Sequence, residues 1–143
     1  MKGRRETLVA FVGALLLAST VAAQQPPPLT KFVTPLKGEV QVEMLAPQAK
    51  YEGSTLVTKF KIKNTSKGPI AGLKVDEYWY NKKGDTVSGS QTFRVPKPLM
   101  PGEIVEVVLR SPKHPEMSTN IYMFAHANGK VKPTRVPAFK KDS

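Results

Sequence analysis

The chain contains no cysteine, one tryptophan and two histidines among its 143 residues. Without thiols there can be no disulfide, no thiolate metal site, no cysteine nucleophile and no N-terminal cysteine for a lipid anchor, so stability rests on packing. A Gly-rich phosphate loop is missing, as are a Gly-x-Ser-x-Gly elbow, a His-Glu-x-x-His pair and acidic residues at calcium-loop spacing. His114 and His126 are the only imidazoles available for acid–base work. These absences predict a protein that is not an enzyme and carries no cofactor. Acidic residues are also scarce, 11 Asp and Glu against 22 Lys and Arg, a net charge of +11. The length suits one folded domain.

What is present begins with an address. Lys2, Arg4 and Arg5 precede an apolar run from Leu8 to Ala18, and small residues follow from Ser19 to Ala23. That order reads as a secretory signal peptide over residues 1–23, cleaved after Ala23. The apolar stretch is shorter than the roughly 20 residues of a spanning helix, so no transmembrane segment is expected after cleavage. Removing it takes away three cations and one anion, leaving 19 against 10, a net +9. An exported chain without cysteine points to a bacterial periplasm or exterior. Residues 24–37, with Pro26, Pro27, Pro28 and Pro35, read as an extended tether.

From Gly38 onward apolar residues fall on alternate positions between Gly, Pro and Asn, the mark of half-buried strands, and no helical period appears. Val40, Val42 and Met44 share one face. Leu56, Thr58, Phe60 and Ile62 share another, with Val57, Lys59, Lys61 and Lys63 pointing away. Leu73, Val75, Glu77 and Trp79 point inward on a third strand, which leaves Tyr78 and Tyr80 outside. The run Asn81-Lys82-Lys83-Gly84 predicts a tight turn into a strand over residues 86–95. Strands over 104–110 and 121–127 follow, and Asn128-Gly129 signals a type I′ hairpin into Lys130-Val131-Lys132. The expected fold is therefore all-β, an antiparallel sandwich of about seven strands over residues 38–133 with a C-terminal tail over 134–143, solvated from Lys140 to Ser143.

Ile62-Lys63-Asn64-Thr65-Ser66, Pro69-Ile70, Leu73-Lys74-Val75, Trp79-Tyr80-Asn81, Gly84 and Leu99-Met100-Pro101-Gly102-Glu103 together resemble the FxLYD-type immunoglobulin-like domain of exported prokaryotic proteins. Tyr122-x-Phe124-x-His126-x-Asn128-Gly129 is similar in spacing to the penultimate strand of fibronectin type III domains. Both resemblances imply an immunoglobulin-like sandwich and say little of function. Glu77 departs from the family pattern, which has an apolar inward residue there. A bulge or strand end that lets it reach water or a lysine is the expectation; a perturbed site residue is the alternative.

Three surfaces could bind something. In immunoglobulin-like sandwiches the third and sixth strands are neighbours, which would put Tyr78, Tyr80, Ile121, Met123 and Ala125 on one outer face. Such a patch suits a protein partner or self-association, unless the tether or the C-terminal segment folds over it. The stripe Lys59, Lys61, Lys63 suits an anionic envelope polymer, although Glu39, Glu43 and Glu106 on flanking strands would pair with it. Nucleic acid is not expected, because no aromatics stand among these lysines. The remaining alternative is copper(I) handling, for which His114 and Met117 would have to approach Met100, since Met123 and His126 face opposite ways. Asn64-Thr65-Ser66 matches a glycosylation sequon by coincidence with a loop.

Overall fold

The structure, a computed structural model, describes residues 33–141. The segment expected to be a signal peptide, residues 1–23, and most of the expected tether, residues 24–37, lie outside the described residues. Among those described there is no helix, and nine strands form one curled mixed sheet. They are β1 (Val40–Met44), β2 (Gln48–Glu52), β3 (Thr55–Asn64), β4 (Lys74–Tyr80), β5 (Thr86–Gly89), β6 (Phe93–Arg94), β7 (Ile104–Pro112), β8 (Thr119–His126) and β9 (Gly129–Arg135).

The sheet has two arms. In one, β3 is flanked by β7 on one edge and by β1 and β2 on the other. In the second, β4 is flanked by β8 and by β5 and β6. Strand β9 joins them: Ala125↔Lys130 and His126↔Gly129 pair it with β8, and from Val131 to Arg135 it runs parallel to β1. The sheet curls because an alternating strand has one apolar side to hide. Val40, Val42, Phe60, Ile62, Leu73, Val75, Val107 and Leu109 from both arms close on a common core. The Phe60 ring on β3 lies tilted against those of Tyr122 and Phe124 on β8, with centroids 5.1 Å and 6.3 Å away.

Several expectations need correction. Nine strands replace about seven, and the β1–β9 pair is parallel where an all-antiparallel arrangement was expected. The added strand β2 is exposed on every residue and owes its existence to hydrogen bonding with β3. The segment over 86–95 breaks into β5 and β6, with a register irregularity between Trp79 and Tyr80. Asn81 does hold its turn: its Oδ1 accepts the Lys83 and Asp85 N–H groups, and Gly84 takes φ 86°. The later turn is not type I′. Among the described residues only glycines have positive φ, and the pair His126↔Gly129 makes Ala127-Asn128 the turn residues.

The domain also begins before Gly38 and runs past residue 133. Leu36 packs against the core and its N–H donates to the Pro69 carbonyl at 2.8 Å. Gly38 accepts from His126 Nε2 at 2.7 Å, while Asn128 N–H donates to His126 Nδ1, so His126 is the Nε2-protonated neutral tautomer and straps the entering chain. At the other end β9 continues to Arg135, because its backbone has β1 to pair with.

Candidate functional site

Full pairing of β4 with β8 sets Tyr78 across from Ile121, Tyr80 from Thr119, Asp76 from Met123 and Lys74 from Ala125. Side chains that are opposite in register share a face, so these eight form one outer surface. Ile121 and Met123 are 46% and 53% exposed; Tyr78, Tyr80 and Ala125 are half-buried. Tyr78 lies over Gly89, where an added Cβ would sit 3.4 Å from its ring. The described tails go elsewhere: Val136 N–H donates to the Met44 carbonyl and Leu36 lies by Pro69.

Beneath this face the structure corrects the expectation for Glu77, which reaches neither water nor a lysine. It is wholly buried. Its Oε1 accepts the Trp79 Nε1–H at 2.8 Å and the Ser111 hydroxyl at 2.9 Å, and Oε2 accepts the Asn120 amide at 3.3 Å. The same Asn120 amide donates to the Tyr122 hydroxyl at 2.9 Å. A buried carboxylate is tolerated when its lone pairs are filled this way. The donors come from β4, β7 and β8, so the group ties both arms across the core.

Burial, and then the neighbouring Glu77 charge, push the Tyr122 phenol up from 10.0 to about 12. The folded value lies above the ordinary one, so the neutral phenol's contribution to stability is complete below about pH 10 and is lost as pH rises through about 12. An ultraviolet titration should therefore show a tyrosine ionisation step near pH 12 that Tyr122→Phe removes. A late step that survives in Tyr122→Phe, or no such step in the wild type, would contradict this environment.

The lysine stripe is less open than the alternation implies. Lys59 and Lys61 are exposed, with Glu106 directly across from Lys61. Lys63 is buried instead: it stands across from Glu43 and its Nζ donates to the Lys140 carbonyl at 2.9 Å. The C-terminal segment that was expected to be solvated covers it. Val57, also expected outside, is buried, with Lys50 on β2 and Arg110 on β7 as its register partners.

The copper set does not assemble. Met100 precedes β7 and His114 follows it, and nine strand residues span roughly 30 Å. His126 spends both ring nitrogens on the backbone and Met123 points out. Among the described residues no group of three His, Cys, Asp or Glu is placed to hold a metal ion. Asn64 is fully buried, its amide donating to the carbonyls of Gly68 and Leu99 at 2.9 Å each, so the sequon offers no site for a glycan in the folded protein.

No family model matches the chain, and no curated protein does. Among solved structures, one reported as the structural characterization of IrmA from Escherichia coli is similar over 73% of this chain and 99% of its own, with 9% identity and a TM-score of 0.42. Likeness that loose supports no conclusion about this chain.

Proposed function

We propose that the protein is an exported, non-enzymatic interaction module of the bacterial cell envelope that binds a protein partner through the outer face of β4 and β8. The finer fold reading that goes with it is an immunoglobulin-like sandwich, supported by the contact of Phe60 on one arm with Tyr122 and Phe124 on the other. Export rests on the sequence of residues 1–23. The observation that carries the binding face is the pair Ile121 and Met123, about half exposed beside Tyr78 on a surface that the described tails leave bare. Apolar side chains grouped in this way are the usual mark of a partner surface, and lysines are kept to its margin.

The test is the double variant Tyr80→Ser with Met123→Ser. Both side chains face outward, so unfolding free energy should stay within about 1 kcal/mol of wild type. Bait retention of an envelope protein from native membranes should disappear. Equal retention by wild type and variant would remove the face from consideration.

A further inference from the structure

Strand β7 offers a second surface, independent of the β4–β8 face. It pairs with β3 in nine consecutive steps, from Thr55↔Pro112 to Lys63↔Ile104, without a bulge. Among the described residues no strand pairs with its other edge. The hydrogen bonds at both ends of the ladder, Lys113 N–H to the Ser54 carbonyl and Asn64 N–H to the Glu103 carbonyl, fix which groups point where. Odd-numbered residues of β7 bond to β3, so the N–H and C=O groups of Glu106, Val108 and Arg110 face outward. The Ser88 hydroxyl donating to the Pro112 carbonyl marks where this open edge ends. A groove of about 500 Å³, lined by Val108, Arg110 and Pro112 on one bank and by residues 89–93 on the other, opens beside it.

Natural sheets protect an edge of this length with charged side chains, lysine above all, with proline or with a bulge. The edge of β2 carries Lys50, and β5 and β6 are short and irregular. Between Ile104 and Ser111, β7 has neither proline nor bulge nor lysine, and its two charges, Glu106 and Arg110, are of opposite sign. It does have a self-complementary sequence. If a second copy is laid antiparallel with Val108 opposite Val108, Glu106 of each copy meets Arg110 of the other, and the three outward residues form the hydrogen-bonded pairs. Moving the axis to residue 106 would instead set Glu106 against Glu106, which is unfavourable. Among the described residues Arg110 pairs with Glu52 at 3.2 Å, both side chains being more than half exposed, a kind of pair that gives little resistance to re-pairing.

We propose that β7 is the seam of a two-fold antiparallel homodimer, with Val108 on the axis and Glu106 of each copy across from Arg110 of the other. The seam joins two edges by about six backbone hydrogen bonds and two ion pairs. It does not use Tyr80 or Met123, so it stands or falls apart from the partner face.

Sedimentation equilibrium of the exported chain should show a concentration-dependent dimer. Glu106→Arg alone and Arg110→Glu alone should each raise the dissociation constant by about tenfold or more by opposing like charges, and the double variant should restore dimerisation. Amide exchange supplies the fold control. The Val105, Val107 and Leu109 amides should stay protected at every concentration and in every variant, while those of Glu106, Val108 and Arg110 gain protection only as the dimer forms. A monomer at all concentrations, or a dimer indifferent to both single variants, overturns the proposal. So does a dimer abolished by Tyr80→Ser with Met123→Ser, which would place the second copy on the β4–β8 face.

Discussion

Replacing Glu77 with leucine should destabilise the protein by about 3–5 kcal/mol, because the change strands the donors that the carboxylate satisfies. Leucine fills the space, but the Trp79 indole N–H, the Ser111 hydroxyl and the Asn120 amide lose their acceptor inside the core. Glu77→Gln keeps the shape and replaces one acceptor oxygen with a donor that meets other donors, so about half the loss is expected. Adding Ser111→Ala to Glu77→Leu should recover about 1 kcal/mol by removing one orphan. Urea unfolding monitored by Trp79 fluorescence measures all three. A loss below about 1 kcal/mol for Glu77→Leu would show that water reaches the cage and replaces the carboxylate.

Asn64→Asp should cost about 2–4 kcal/mol although it exchanges only an amide for a carboxyl group. The Asn64 amide is held between the carbonyls of Gly68 and Leu99, and its own oxygen accepts the Ser66 N–H at 2.8 Å. An aspartate would present two carbonyl oxygens with a third oxygen in place of two donated hydrogens. The residue lies at the end of β3 and fixes the loops over residues 65–69 and 95–99, where Ile70 and Leu99 exchange backbone hydrogen bonds. Thermal unfolding should fall to a lower temperature and the Gly68 and Leu99 region should gain proton exchange first. Wild-type stability in Asn64→Asp would mean that the loops hold themselves.

Much of this core was legible from alternation. Leu56, Thr58, Phe60 and Ile62 are all buried, as are Leu73, Val75 and Glu77, and β4 does lie beside β8. Period two reports which side of a strand is dry, and that is local information. It is silent about β2, whose Gln48–Glu52 segment has no dry side. It also misplaces Lys63, because what covers that lysine arrives from residue 140, far along the chain. The Glu77 cage was hidden for the same reason: its donors sit at residues 79, 111 and 120 and become neighbours only when both arms close. The outer face of β4 and β8 needed just two alternations and a neighbour relation, and its residues stand on the side that the alternation gives them.

The crossing of β9 from β8 to β1 sets the order of events when the chain folds. Residues 40–44 wait for residues 131–135 before their outer edge is paired, and contacts so remote in sequence form late and slowly because a long loop must close first. Hairpins such as β4 with β5 can flicker into existence early, yet no strand bridges the two arms until β9 has been synthesised.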